Sequence, residues 1–282
     1  MRGHLLRRRP RRRRDRGGEW RLSPGAAFFD LDKTLIEGSS ALHFGRAAYK
    51  HGMVSRRRLA RDAWANLRFR LNGSTDAGTD ELRQRILDSI TGQRTVDLAR
   101  LGPDVLAGIL PLLYREVLDE AYAHQDAGRP VYIVTAASQE LADVLAHVLV
   151  LEGGVGMRSE VRDGVYTGRP AGPFTYREGK AEAIRELANR EGIDLGESFA
   201  YSDSESDLPM MRAVGHPVAV NPDRELERVA RQEGWRIMRF DKLGRRLRWA
   251  SAVAGVALVG GGGGYVAARA RRPRRPRGLR RG

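Results

Sequence analysis

The chain has 282 residues, with 50 Lys+Arg against 35 Asp+Glu and a formal net charge of +15. Ten arginines fall in residues 1–21 and eight in 269–282, so the body between them holds 32 basic and 33 acidic residues, which excludes a uniformly basic nucleic-acid-binding domain. Hydrophobic residues make up 41% and cysteine is absent, which excludes a disordered chain, a disulfide scaffold, a thiolate zinc site and a cysteine nucleophile.

Residues 1–21 have no apolar periodicity, and Pro10 with Gly17-Gly18 opposes a continuous helix, so the segment reads as a disordered basic tail. No apolar stretch of signal-peptide length follows it. A first short apolar run, Ala26–Phe29, ends in Asp30 and Asp32 within FFDLDKT. Residues 38–127 then read as helices over His43–Lys50, Arg56–Leu71, Glu81–Ile90 and Pro103–Ala127, punctuated by Asn72-Gly73-Ser74-Thr75 and Thr91-Gly92. This is a helical insertion at the carboxyl end of the first strand, where it can cover a site.

A second run, Val131–Val134, ends in Thr135 and is followed by a helix over Gln139–Leu151 with Ser138 as its N-cap. Around Arg158–Thr167 the pattern predicts a hairpin turning at Asp163-Gly164. A helix over Lys180–Arg190 places Ile184, Leu187 and Ala188 on one face. Phe199–Tyr201 runs into Ser202-Asp203, and Val218–Val220 into Asn221-Pro222. Asp223–Gln232 is helical, with acids at its start, and Ile237–Phe240 is a last strand. Apolar, non-alternating strands separated by helices predict an α/β fold with a mostly parallel sheet covered on both faces.

Trp249–Ala268 are twenty residues without a formal charge, interrupted by five consecutive glycines at 260–264. The length matches a hydrocarbon core of ~30 Å, but the apolar payload is small. The segment reads as a Gly/Ala-rich linker or a marginal transmembrane segment, followed by the basic tail 269–282. Both tails could meet an anionic membrane surface through counterion release. No motif for reading nucleic acid accompanies the charge, so specific nucleic-acid recognition is not expected.

Four segments carry the chemistry. Asp30 and Asp32 lie two residues apart at a strand end, where carboxylates repel unless a cation or proton intervenes. Mg²⁺ is the cation that such oxygen donors suit. Asp30 is the candidate nucleophile, forming an acyl-phosphate, and Asp32 the candidate general acid/base. The Thr135 hydroxyl and the amides after it could hold a phosphoryl oxygen. Lys180 could neutralise charge on the transferring group. Asp203 would complete the metal site, and Asp207 would either ligate the metal or, from just outside its ligand set, orient a ligand or water. Taken singly, each is an ordinary strand-end turn or helix cap; together and in this order they point to metal-assisted phosphoryl transfer.

DLDKT, Thr135 after VYIV, Lys180 and Ser202-Asp203 through Asp207 resemble the four motifs of the haloacid dehalogenase-like hydrolases. The stretch from about 26 to 240 is similar to subfamily IB, the phosphoserine phosphatase-like branch. The resemblance implies a Rossmann-like core with a helical cap inserted after the first strand: core 22–37 and 128–248, cap 38–127. It implies Mg²⁺ held by Asp30, the backbone carbonyl of Asp32 and Asp203. It also implies phosphorylation of Asp30, with Asp32 protonating the leaving group and then activating water.

Phosphoserine phosphatases carry a Glu nine residues after the nucleophile that helps bind the substrate amino group. Here that position is Ser39, and the nearest acid is Glu37. The fourth motif reads YSDSESD rather than the glycine-rich GDGxxD. The expectation is a Mg²⁺-dependent phosphomonoester hydrolase acting on a small phosphorylated metabolite. A phosphotransferase with a non-water acceptor is one alternative, and a membrane-surface or nucleic-acid binding protein dominated by its tails is another. A cytoplasmic location is expected, with membrane association through the C-terminal segment as its alternative.

Overall fold

A computed structural model describes residues 25–55, 57 and 76–240, with only the backbone given for 76–82. The chain divides after Arg239, and the architecture below is that of the first unit. The helix expected over Arg56–Leu71, the two basic tails and 249–268 lie outside the described residues.

The strands are β1 (Ala27–Asp30), β2 (Val131–Ser138), β3 (Gly153–Met157), β6 (Phe199–Ser202), β7 (His216–Val220) and β8 (Arg236–Met238). They form one parallel sheet in the order β3-β2-β1-β6-β7-β8. The chain steps from β1 outward to β2 and β3, then returns to the far side of β1 for β6. The strand order therefore reverses between β1 and β6, and the carboxyl ends of these two strands are where an open parallel sheet characteristically takes its ligand. Register aligns Asp30 with Val134 and Phe29 with Tyr201, which brings Asp30, Thr135 and Ser202-Asp203 to one edge.

The helices are α1 (Ser40–Lys50), α2 (Asp76–Ile90), α3 (Thr95–Ala99), α4 (Gly102–Ile109), α5 (Arg115–Asp126), α6 (Gln139–Val148), α7 (Glu178–Glu191), α8 (Leu208–Arg212) and α9 (Arg224–Gln232). On one face of the sheet Phe28, Tyr132, Val134 and Ala200 pack against Ile184 and Leu187 of α7 and Met210 of α8. On the other face Phe29 stacks on Tyr201 at 4.2 Å between centroids, and His124 of α5 covers both rings. Burial on both faces explains why these strands read as continuous apolar runs rather than alternating ones. The fold is thus α/β, with a Rossmann-like parallel core and helices inserted after β1.

The chain leaves and re-enters the core by a paired connection. Tyr114 donates its N–H to the Leu35 carbonyl and Glu37 to that of Leu112. The hairpin β4 (Ser159–Arg162) and β5 (Val165–Pro170) turns at Asp163 and Gly164, whose φ values of 49° and 77° give the tight turn expected of Asp-Gly. It receives the insertion edge-on: Gly92 N–H bonds the Tyr166 carbonyl, Tyr166 N–H that of Gln93, and Thr95 N–H that of Gly164.

Three expectations are revised. The helix over Pro103–Ala127 is broken into α4, a 3₁₀ turn at Leu110–Leu112 and α5. Pro111 causes the break, because it has no N–H to donate and its ring crowds the preceding turn. The edge strand β3 was not anticipated, since its sequence GGVGM carries only two large apolar side chains. Its glycines are required by close approach: a Cβ on Gly154 would lie 2.5 Å from the Ala142 carbonyl oxygen of α6. Finally, the possible transmembrane character is corrected. Among the described residues no helix is long and apolar enough to cross a membrane. The longest of them, α2, has 15 residues where a span needs about 20.

Candidate active site

Asp30 ends β1, and its carboxylate is buried. Lys180 reaches it from the first turn of α7, with Nζ 2.5 Å from Asp30 Oδ1. The same ammonium donates to Asp207 Oδ2 at 2.7 Å, and Ser202 Oγ donates to that oxygen at 2.7 Å. Lys180 can enter because Gly179 lets the loop approach the helix start: a Cβ there would sit 1.8 Å from the Phe174 carbonyl oxygen. Asp203, just past β6, is also buried and faces Lys33, whose Nζ is 3.9 Å from its Oδ2. Lys33 adopts φ +62°, which turns the chain sharply between Asp32 and Thr34.

Three buried carboxylates therefore share a desolvated corner with the one buried ammonium of Lys180, while the half-exposed Lys33 meets Asp203 from the solvent side. Burial, together with repulsion from Asp207 and Asp203, pushes the Asp30 carboxyl up to about 8 despite Lys180. Burial also pushes Asp203 up to about 7, against the pull of Lys33. Burial alone would lower the Lys180 ammonium, but Asp207 and Asp30 hold it above the ordinary lysine range. The corner is short of positive charge.

The donor set fits a hard divalent cation. Its atoms are oxygens, its carboxylates are under-neutralised, and buried Asp207 Oδ1 has no hydrogen-bond partner among the described residues. No group of three His, Cys, Asp or Glu side chains among the described residues could hold a metal by itself.

Asp32 stands apart from this cluster. Its Oδ2 accepts from Ser39 Oγ at 2.9 Å and its Oδ1 from Ser40 N–H at 2.8 Å. Thr135 is buried; its Oγ1 accepts the Ala137 N–H at 3.1 Å, which leaves its own proton free to donate elsewhere. Its backbone carbonyl is held by Thr175 Oγ1 at 2.7 Å. Downstream, Ser138 caps α6 by accepting the Leu141 N–H.

The corner thus brings together Asp30, Lys180, Asp203 and Asp207, with Thr135 on the neighbouring strand end and Asp32 held to one side. Sequence reasoning did not single out Lys33, Thr175 or Asp223. Asp223 donates its N–H to the Asp203 carbonyl at 2.8 Å and accepts the Glu205 N–H at 2.9 Å, so it clips the loop after β6. The only signal for Asp223 is a cap residue following the apolar run of β7.

The model of the family "haloacid dehalogenase-like hydrolase" matches residues 27–212. A phosphoserine phosphatase of Mycobacterium tuberculosis is 37% identical over 252 residues, covering 89% of this chain and 82% of the relative. A probable phosphatase of the same organism is 38% identical over 227 residues, covering 80% of this chain and 79% of the relative. Among solved structures, a protein of unknown function from Bordetella pertussis Tohama I superposes with a TM-score of 0.69 at 26% identity, covering 77% of this chain and 98% of its own. With the parallel sheet, the inserted helices and the acidic corner in place, the chain belongs to the haloacid dehalogenase-like hydrolases, in their phosphoserine phosphatase-like branch, and is a Mg²⁺-dependent phosphomonoester hydrolase that works through an aspartyl-phosphate on a small phosphorylated metabolite.

Proposed function

We propose that Asp30 is the nucleophile and Asp32 the general acid/base of this phosphatase. The observation that carries the assignment is the division of labour between the two carboxylates. Asp30 is pinned in the buried corner by Lys180, whereas Asp32, two residues on, is half-buried and its carboxylate is held, among the described residues, by the Ser39 hydroxyl and the Ser40 amide. In the first step an Asp30 oxygen forms a bond to phosphorus as the ester P–O bond breaks. The departing oxygen takes its proton from Asp32. In the second step Asp32 removes a proton from water, whose oxygen attacks phosphorus. The acyl-phosphate bond breaks, which frees inorganic phosphate and restores the Asp30 carboxylate.

Lys180 and the Thr135 hydroxyl bind non-bridging phosphoryl oxygens. Asp30, Asp203 and the Asp32 carbonyl would hold Mg²⁺, which supplies Lewis-acid stabilisation of phosphoryl charge when bound. Asp207 positions Lys180, and Ser202 positions Asp207. Within 38–127 the helices before α5 serve as the cap that limits access of bulk water, α5 itself packs on the sheet, and 22–37 with 128–248 serve as the catalytic core.

One relative is named a phosphoserine phosphatase. In this chain the position nine residues after the nucleophile is Ser39, and its hydroxyl is committed to Asp32. Nothing at that position can neutralise a substrate ammonium, so serine phosphate is not expected to be preferred over other small phosphate esters. A screen of phosphorylated metabolites, with and without Mg²⁺, reads this directly. In it, Asp30→Asn should lose roughly 10³-fold or more in kcat, because an amide cannot form the acyl-phosphate. Retention of most of the rate by a folded Asp30→Asn protein would refute the nucleophile.

A further inference from the structure

Ser39 directly precedes α1, with extended backbone angles (φ −130°, ψ 126°), in the place where a serine normally caps the helix. It does not do so. Its side chain makes no capping hydrogen bond, and its Oγ instead donates to Asp32 Oδ2. The first amide of α1, Ser40 N–H, donates to Asp32 Oδ1. Asp32 therefore caps α1 from outside, and the helix start grips both oxygens of the carboxylate. Gly38 makes the geometry available: its φ of +103°, closed to ordinary side chains, turns the chain so that two consecutive donors face back to Asp32. Ser39 and Ser40 are 4% and 2% exposed, so water does not replace them readily.

We infer that Ser39 is a positioning residue for the general acid, and that the start of α1 makes the orientation of Asp32 depend on the seating of the inserted helices. Two donors from adjacent residues fix the carboxylate against rotation, whereas one would leave it free to turn about its axis. The seat is itself set by helix packing. His43, one turn into α1, lies so close to α4 that a Cβ on Gly108 would be 2.4 Å from its Nδ1. A shift of α1 away from α4 moves both donors, so the acid is aligned only while the first inserted helix is in place. The inference rests on Asp32 as acid/base, and its test separates failure of the one from failure of the other.

The test compares Ser39→Ala, Ser39→Cys and Ser39→Thr on two substrates: the alkyl phosphate that turns over best and p-nitrophenyl phosphate, whose leaving group departs without a proton. kcat/KM is the readout, because it reports the steps up to leaving-group departure. Ser39→Ala should lower kcat/KM about tenfold or more on the alkyl ester and by less than about threefold on the nitrophenyl ester, as expected for a misaligned acid. Ser39→Thr, which keeps the hydroxyl, should restore most of the alkyl activity. Ser39→Cys, with a weaker donor of similar size, should repeat the alanine pattern and serves if the alanine protein does not fold. Equal losses on both esters, or an unchanged alkyl rate, overturn the inference. An Asp32→Asn protein that shows no difference between the two esters would instead overturn the acid/base assignment on which it rests.

Discussion

At the scale of single residues, the site depends on one ammonium group placed among buried carboxylates. Lys180 is one of only four lysines in a chain with 46 arginines. A guanidinium would need a planar fork of partners, while the compact ammonium meets Asp30 and Asp207 from one point. Removing it leaves two carboxylates buried and unpaired. Lys180→Met should therefore destabilise the protein by about 3–5 kcal/mol, read by urea denaturation. Lys180→Met combined with Asp207→Asn should recover part of that loss, because the second change removes one of the orphaned charges. An additive double variant would mean that Lys180 and Asp207 do not act as a unit. Asp30, Asp32, Thr135, Asp203 and Asp207 were legible in the sequence because they follow apolar runs, and Lys180 because it opens a helix. Lys33 and Asp223 were not, since nothing local tells a charged turn residue that faces Asp203 from one that faces water.

At the scale of elements, short loops place the residues. The β4–β5 hairpin shows the dependence best, because its backbone receives the inserted segment at Gly92, Gln93 and Thr95. Gly164 at φ +77° accepts the Thr95 N–H on its carbonyl, and a side chain at that angle is strained. Gly164→Ala should cost about 1–2 kcal/mol of stability. Amide exchange should show the loss first at Thr95 and Tyr166. Uniform loss of protection across the sheet would argue against the hairpin as the local seat of the insertion. The hairpin was readable from Asp-Gly between short polar-apolar runs. The edge strand β3 was not, because its glycines are chosen by contact with α6 rather than by strand propensity. The division of 103–127 at Pro111 was readable in principle, since proline inside a helical pattern marks a break.

At the scale of the whole molecule, a second polar network ties the insertion's last helix to the sheet. His124 of α5 shares a hydrogen bond with the Tyr201 hydroxyl at 2.8 Å, and Tyr201 donates to Glu120 at 3.2 Å. Arg236 of β8 grips both oxygens of Glu120. Burial, with Arg129 and Arg236 adding to it and Glu120 opposing, pushes the His124 imidazole down from 6.5 to about 4. The fold thus holds the neutral ring, and unfolding takes up a proton between these two values. That stabilisation is complete above about pH 6.5 and is lost as pH falls toward 4. His124→Phe should flatten the pH dependence of unfolding free energy in this window by up to about 1.4 kcal/mol per pH unit. Denaturation at pH 7 and 4.5 measures it, and parallel curves for the two proteins would exclude the linkage.

The amino-acid sequence alone determined the α/β class, the helical insertion and the order of the catalytic motifs, because each is written in local periodicity or strand-end chemistry. It also confined the +15 charge to residues at the two ends and left a nearly neutral body. Only the tertiary structure decided which carboxylate sits with Lys180 and which is held by α1, because 150 residues separate Asp30 from its ammonium partner. Two aspartates with a single residue between them look alike in sequence. One becomes a buried carboxyl paired with Lys180 and the other a half-buried carboxyl capping α1, because parallel strand pairing carries the first into the sheet edge, while a glycine turn folds the next helix back onto the second.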